Sequence, residues 1–174
     1  NRVGAAPAQS LDAAADQARA AGVTVEILGD RVEGEARDVA ADQAALARTR
    51  AAALRPGDAP HLILSGGELT VTRRGKGVGG PNAEFILALG LALQGAPRIH
   101  ALSCDTDGVD GAAEVAGAVI GPATLAGHEA AARTALAEND AHGFFGRIGA
   151  QVVTGPTLTN VNDFRAILIL PPTA

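Results

Sequence analysis

The sequence contains no methionine, tryptophan or tyrosine, and it has only four phenylalanines and one cysteine. The single cysteine, Cys104, excludes an internal disulfide framework and a cysteine-based zinc site. The missing tryptophan and tyrosine remove platforms on which nucleic-acid bases stack, and the net charge of −5 also argues against a nucleic-acid partner. The core of this 174-residue chain must therefore be built mainly from alanine, valine, leucine and isoleucine.

Long hydrophobic runs are absent as well. The longest, from Phe85 to Leu93, is far too short to cross a bilayer, and no signal-like segment opens the chain. We therefore expect a cytoplasmic protein without a membrane partner. Because the chain lacks methionine, Asn1 is not a natural translation start, and we expect the chain to be part of a longer protein.

Lysine is nearly absent too, since Lys76 stands alone against thirteen arginines. It lies in a glycine-rich loop, Arg73-Arg74-Gly75-Lys76-Gly77-Val78-Gly79-Gly80, which we call the Lys76 loop. Glycines allow backbone N–H groups to approach a ligand closely, and an ammonium group beside them is a common way to hold phosphate. The loop alone supports a phosphate site and a flexible, solvated turn about equally.

Segments with helical and strand patterns alternate along the chain, which predicts a single α/β domain over residues 1–174. We expect a three-layer α/β/α sandwich with a mixed β-sheet, because two consecutive strands meet around Ser65–Gly67. The patterns predict helices at 10–21, 33–55, 81–94 and within 122–148, and strands at 23–28, 61–64, 68–73, 98–104, 116–120, 151–154 and 164–170.

Four polar or glycine-rich loops each follow a predicted strand. They are Ser65–Glu68, Gly75–Gly80, Asp105–Gly111 and Thr154–Asp163. Ligands of open α/β sheets bind outside the carboxyl ends of the strands, so these loops are expected to share one edge of the sheet. This convergence is the main argument from the residues for a binding site.

Two of these loops carry carboxylates or amides suited to small polar ligands. Asp105, Asp107 and Asp110 have the chemistry to hold Mg²⁺, although Asp-Gly pairs are equally common in plain turns. The segment from Asn160 to Asp163 can bind hydroxyl groups or a carboxylate, or it can satisfy its own loop backbone. The four histidines have no metal-ligand spacing and are taken as incidental.

The Lys76 loop also fits a dinucleotide-binding pattern, because Gly75, Gly77 and Gly80 match G-x-G-x-x-G between a strand and a helix. The preceding segment, Glu68–Arg73, is polar at alternate positions, whereas the strand before such a loop is normally apolar on both faces. The glycine spacing therefore matches the dinucleotide-binding pattern, but the preceding strand does not.

Taken together, these motifs resemble the MOFRL family, the C-terminal region of bacterial glycerate 2-kinases that are often described as hydroxypyruvate reductases. The resemblance covers roughly residues 60–170 and rests on motifs that occur in family order. They are Ser65–Val71, Gly75–Gly77, Gly79–Phe85, Thr106–Gly111, Ala116–Ala118, Asn139-Asp140, Phe144-Phe145 and Thr154–Asp163.

The resemblance implies an enzyme that transfers the γ-phosphate of ATP to the 2-hydroxyl of D-glycerate with Mg²⁺. Its site would be shared with the protein's own N-terminal domain, so this chain would be inactive alone. Lys76 and Asp107 would be catalytic, and Asp105, Asp107 and Asp110 would bind the metal. Substrate or phosphate would contact Ser65, Gly66, Gly67, Glu68, Gly75, Gly77, Gly79, Gly80, Asn82, Glu84, Asn160, Asn162 and Asp163.

One departure from the family pattern bears on activity. Family members usually carry arginine where this chain has Pro81, and proline cannot neutralise a transferring phosphoryl group. Two alternatives therefore stay open: an NAD(P)H-dependent hydroxypyruvate reductase and a non-catalytic domain that binds a small acid. The sequence also leaves a homodimer open.

Overall fold

The computed structural model describes residues 7–159 and 161–174. Within them lie the helices α1 (Pro7–Ala20), α2 (Ala36–Ala53), α3 (Pro81–Leu93), α4 (Glu129–Ala137) and α5 (Ala141–Ile148). The strands are β1 (Thr24–Gly29), β2 (Gly34–Glu35), β3 (His61–Gly67), β4 (Leu69–Thr70), β5 (Ile99–Asp105), β6 (Gly117–Ile120), β7 (Gln151–Val152) and β8 (Asp163–Ile169). In this part of the chain no helix combines the length and hydropathy needed to cross a membrane.

Six of the strands form one mixed sheet in the order β1-β3-β8-β5-β6-β7, which confirms the predicted α/β fold. Strand β1 is parallel to β3, and the remaining pairs are antiparallel. Strands β2 and β4 pair separately, in parallel. The alternation of side chains along β3 places Ile63 towards one face of the sheet and Leu64 towards the other, so both faces acquire apolar clusters.

Helices cover both faces of this sheet. On one face α1 packs Leu11 and Ala15 against Leu64. On the other face α3 is the central helix, and its side chains from Asn82 to Gly90 are buried. Pro81 begins α3, in the first turn where its missing N–H is not needed. Helix α2 covers α3 with a stripe of small residues, Ala40, Ala44, Ala47 and Ala51, at helical spacing.

The strand directions bring the polar loops to one edge of the sheet, which we call the rim. Because β3 and β5 both run antiparallel to β8, they end at the edge where β8 begins. Asp163, the first residue of β8, has Gly67 and Asp105 as its neighbours in register. The loop from β7 to β8 also runs along this edge, since β7 is parallel to β5. The expected convergence of loops is therefore present.

Two predicted elements differ from the structure. The strand expected over 68–73 is reduced to Leu69–Thr70, because the Thr72 and Arg74 amides donate to the Glu35 and Asn139 side chains rather than to a strand. The helical stretch expected within 122–148 is divided into α4 and α5. The break is at Asn139, whose left-handed backbone (φ 54°) cannot continue a helix.

Candidate functional site

The amino end of α3 points to the rim, and the buried Asp110 carboxylate caps it. Asp110 Oδ1 accepts hydrogen bonds from the backbone N–H of Asn82 (3.0 Å) and from its Nδ2 (3.2 Å). Asp110 Oδ2 accepts from the Ala83 N–H (2.9 Å) and from His142 Nε2 (2.8 Å). A carboxylate is favourable at this position because the unpaired N–H groups of a helix start carry partial positive charge. Both oxygens are already used, which argues against the expected role of Asp110 in binding magnesium.

A second buried network joins α3 to the two central strands. Asn82 Nδ2 donates to Asp163 Oδ1 (2.7 Å), and its Oδ1 accepts from Ser103 Oγ (2.5 Å). Asp163 also pairs with Arg165 Nη1 at 3.2 Å. Burial raises the pKa of Asp163, while the hydrogen bond from Asn82 and the charge of Arg165 act in the opposite direction. Asn82 and Asp163 therefore hold the sheet and α3 together, and neither offers the exposed polar group that substrate orientation requires.

Arg165 is also hydrogen-bonded to the end of β3. Its Nη2 donates to the Gly66 carbonyl at 2.7 Å, and its Nε donates to Ser65 Oγ at 3.3 Å. Gly67 has a left-handed backbone (φ 108°), and a side chain there would collide with the backbone of Val32. These glycines permit close packing, which argues against direct substrate contact by Ser65, Gly66 or Gly67.

A third network connects α2, α3 and the connection between α4 and α5. Glu84 is buried on α3, and its carboxylate accepts from Arg37 Nε (2.7 Å) and Asn139 Nδ2 (3.0 Å). The Arg37 guanidinium also donates to the Leu136 carbonyl at 2.6 Å. Both oxygens of Glu84 thus have protein partners, so its structural role is explained without a substrate.

The Lys76 loop lies along the backbone of residues 138–142, which we call the α4–α5 turn. The Gly77 N–H donates to the Glu138 carbonyl (2.9 Å), and the Gly75 N–H donates to Asn139 Oδ1 (2.9 Å). A Cβ atom at Gly77 would lie 2.4 Å from Asp140 Cβ. The same holds at Gly75, Gly79 and Gly80, where an added Cβ would meet the α4–α5 turn or Asp110 at 2.8 Å or less. The expectation that the Gly75 and Gly77 amides bind phosphate is therefore revised, because both donate within the protein.

The charged side chains of this loop are directed differently from its amides. Arg73 folds back to donate to the Gly75 and Gly77 carbonyls (3.3 and 3.2 Å). Lys76 is exposed. Of the cationic groups in the loop, the exposed Lys76 ammonium and Arg74 guanidinium are therefore available to an anion, while the Arg73 guanidinium helps to shape the loop.

Two partly exposed carboxylates remain at the rim. The Asp107 N–H donates to Asp105 Oδ1 (3.0 Å), and the Val109 N–H donates to Asp107 Oδ1 (2.8 Å). Burial raises the pKa of Asp105 to about 6, with further contributions from the charges of Asp107 and Asp163. Two neighbouring carboxylates are a chemical fit to a divalent cation, and Mg²⁺ commonly takes one or two protein carboxylates plus phosphate oxygens. Among the described residues, no group of three or more metal-ligating side chains is assembled.

The long loop between β7 and β8 closes over this acidic segment. The Thr157 N–H donates to the Asp107 carbonyl (3.1 Å), and the Thr157 hydroxyl donates to the Thr106 carbonyl. Asn162 is exposed and has a left-handed backbone (φ 64°), and Glu68 is exposed at the end of β3. Asn160 lies outside the described residues. Among the described residues of the predicted site, the accessible side chains are thus those of Glu68, Lys76, Asp105, Asp107 and Asn162, and their roles stay predictions.

The thiol of Cys104 is in an environment that lowers its reactivity. Burial raises the pKa of its thiol to about 11, and the charges of Asp163, Asp105 and Asp110 act in the same direction. The thiolate, which is the reactive form, is therefore strongly disfavoured near neutral pH.

Reasoning from sequence missed three polar residues that organise the site, of which His142 and Arg165 are buried and Arg37 is partly buried. His142 was taken as incidental, although it follows Asp140-Ala141 and precedes the buried Phe144-Phe145 pair. Arg165 lies two residues after Asp163 and two before Ile167, so the period of two in β8 places it on the core-facing side. Arg37 had no comparable local signal, since its partner Glu84 is 47 residues away.

Comparison with known proteins identifies a family whose matched region includes these loops. The model of the MOFRL family matches residues 61–163. The chain belongs to the MOFRL family. The match runs from the first residue of β3 to the first residue of β8, so it includes the rim, the Lys76 loop and the α4–α5 turn.

Relatives of this MOFRL chain carry two different activity names. An Agrobacterium vitis protein named "Putative hydroxypyruvate reductase" is 49% identical over 97% of the chain and 45% of its own length. The Thermotoga maritima D-glycerate 2-kinase is 33% identical over 91% of the chain and 39% of its own length. A crystal structure of glycerate kinase from Thermotoga maritima superposes with a TM-score of 0.89 at 32% identity, over 95% of this chain and 41% of that one. The chain spans less than half the length of each of these proteins.

Proposed function

We propose that this chain is the C-terminal domain of a glycerate 2-kinase-like enzyme that transfers the γ-phosphate of ATP to the 2-hydroxyl of D-glycerate. Two observations support the proposal. The loops that carry the family motifs meet at one rim, and the domain superposes closely on a glycerate kinase. Because the chain spans less than half of its relatives, we infer that the rest of the site comes from another domain and that the isolated chain is inactive.

Within this proposal, Asp105 and Asp107 are the residues that would hold Mg²⁺. When bound, Mg·ATP supplies the transferring phosphoryl group together with part of its counter-charge. A Mg²⁺ titration of melting temperature tests this role without any assay of activity. We expect Mg²⁺ to raise the melting temperature of the parent protein and to have little effect on its Asp105→Asn variant. Asp110→Asn should keep the Mg²⁺ response, since Asp110 is buried under helix α3.

Lys76 would contribute positive charge to the site. Its exposed ammonium can reach a phosphate or the carboxylate of glycerate, whereas the amides of Gly75 and Gly77 are engaged with the α4–α5 turn. Placement of charge and reactants is the main protein contribution to phosphoryl transfer. An exposed cation on a loop whose backbone is held by hydrogen bonds suits that task.

The reductase alternative is less consistent with the local geometry. A dinucleotide-binding turn joins a central parallel strand to a helix whose N-terminus receives the pyrophosphate. Here the loop follows β4, which lies outside the main sheet, and the N-terminus of α3 already binds the Asp110 carboxylate. The formal G-x-G-x-x-G match therefore does not support NAD(P)H binding at this loop.

The first experiment uses the intact parent protein. It is incubated with Mg·ATP and D-glycerate, and products are identified by phosphorus NMR, while a parallel sample contains hydroxypyruvate and NADH. Formation of 2-phosphoglycerate is the expected result, and the isolated 174-residue chain should produce none. Rapid loss of NADH without phosphoglycerate would contradict the proposal.

Pro81 gives a further test of the kinase mechanism. If the arginine usual in the family neutralises phosphoryl charge, Pro81→Arg should raise kcat in the parent protein. The gain in kcat should be at most about tenfold, because Lys76 already supplies positive charge to the site. A fall in kcat with an unchanged melting temperature would show that arginine at this position does not assist the reaction.

A further inference from the structure

The α4–α5 turn holds the Lys76 loop through a series of backbone contacts. Besides the bonds of Gly75 and Gly77, the Val78 N–H donates to Asp140 Oδ1 (3.2 Å) and the His142 N–H donates to the Val78 carbonyl (3.0 Å). The residues joined by these bonds are more than 60 positions apart in sequence. Their fit also requires glycine in the loop, since side chains at alternate positions would collide with the turn. Hydrogen bonds and close packing against the turn therefore hold the loop in one conformation.

Asn139 is the centre of this contact. Its side chain is buried, and its Oδ1 accepts from the Arg74 N–H (2.7 Å) and the Gly75 N–H (2.9 Å). Its Nδ2 donates to the Glu84 carboxylate (3.0 Å) and to the Thr72 carbonyl (3.4 Å). One amide group thus ties both the start of the loop and the buried Glu84 of α3 to the turn.

The chemistry of asparagine suits this position in two ways. Asn139 has a left-handed backbone, which asparagine tolerates better than most residues. Its amide supplies both an acceptor for two N–H groups and a donor for a carboxylate, whereas aspartate could supply only the acceptor. Leucine or alanine would supply neither.

We propose that Asn139 is a positioning residue for Lys76: it fixes the backbone immediately before the lysine, at Thr72, Arg74 and Gly75, and so sets where the ammonium stands at the site. The catalytic part of this inference rests on the proposed kinase function. The conformational part does not, because it depends only on the contacts between the loop and the turn.

The conformational part is tested in the full-length parent with trypsin, which cleaves after Arg73, Arg74 and Lys76. The variant is Asn139→Gly, because glycine accepts the left-handed backbone and removes only the side chain. Thr134→Ala is the matched control, since the exposed Thr134 on α4 bonds only to its own helix. Loss of two amide partners should speed loop cleavage about 10- to 30-fold, with the Thr134→Ala rate unchanged.

Mass spectrometry of the first fragments separates loop release from general unfolding. Cleavage after Arg19, on α1 across the sheet, serves as the internal reference. Selective acceleration at the loop supports the proposal. An unchanged loop rate, or an equal increase at Arg19, overturns it, because the side chain would then have no specific hold on the loop.

The catalytic part is tested by a double-mutant cycle in the parent enzyme. Asn139→Gly should lower kcat/KM about tenfold, with most of the loss in kcat, and should have little further effect when Lys76→Ala is already present. Additive losses would overturn the positioning role. If the parent forms no phosphoglycerate at all, the proposed function fails, and the trypsin pattern still decides whether Asn139 holds the loop.

Discussion

Replacing Asp110 by asparagine distinguishes its observed structural role from the metal-binding role expected from sequence. In the folded protein its two oxygens accept four hydrogen bonds, from two donors on Asn82, from the Ala83 N–H and from His142 Nε2. Asparagine keeps one acceptor oxygen and turns the other into an NH₂ group that faces two donors. Two buried, charge-assisted bonds are then lost, and two donors are left without partners.

The expected cost follows from those lost bonds. A hydrogen bond to a charged group contributes about 1.5–3 kcal/mol and two such bonds are lost, so we expect Asp110→Asn to lower the free energy of unfolding by about 3–5 kcal/mol. Urea denaturation at pH 7 measures this value, read from the midpoint and slope of the transition. The slope should stay close to that of the wild type.

Asp107→Asn is the matched control on the same loop. Asp107 is partly exposed, and asparagine keeps the Oδ1 that accepts the Val109 N–H, so its stability should change by about 0.5 kcal/mol or less. A cost below about 1 kcal/mol for Asp110→Asn, together with loss of a Mg²⁺-dependent rise in melting temperature, would refute the cap and restore Asp110 to the metal site.

Three further predictions rest on single contacts or charges. Gly77→Ala should destabilise the protein by about 2–4 kcal/mol in urea denaturation, because its Cβ would collide with the backbone of Asp140; a smaller cost would mean that the loop can move away from the turn. Asp105→Asn should raise the melting temperature at pH 7.5 but not at pH 4. The pKa of Asp105 in the folded protein, about 6, lies above the ordinary aspartate value of 3.8, so ionising Asp105 costs stability as the pH rises through that interval. An equal effect at both pH values would contradict this. Glu26→Gln should lower the melting temperature at pH 7 by about 2 °C or less, since the pair with Arg50 is half-exposed. That loss should fade as the pH falls from about 4.5 towards 2, because the hydrogen bond from Arg50 lowers the pKa of Glu26 to about 2; a loss that persists at pH 2 would mean that the carboxylate is not the cause.

Periodicity and turn residues were sufficient to predict most of the fold. The apolar spacing of Phe85, Ile86, Leu89 and Leu93 predicted α3, and Pro81 located its start. The period of two predicted β8 to within a residue at each end. The shared rim also followed from the order of strands and loops, because carboxyl ends of parallel strands meet at one edge.

The roles of polar residues could not be derived in the same way. Asn82 and Glu84 were expected to orient substrate, but both are buried and bonded to side chains that lie 21 to 81 residues away in sequence. A local pattern reveals that a residue is polar, but it does not reveal whether another part of the chain will neutralise it. The glycines of the Lys76 loop show the same limit, since the neighbour that requires them is the distant α4–α5 turn.

The position of β8 has a consequence for how the chain folds during synthesis. β8 is the last strand in the described part of the chain, yet it lies between β3 and β5 in the sheet. Until the ribosome has released it, the β1–β3 pair and the β5–β6–β7 group each present an unpaired edge, which is the type of surface that promotes aggregation. A nascent chain whose β8 is still inside the ribosome should therefore depend on chaperones, whereas emergence of β8 should allow the sheet to close.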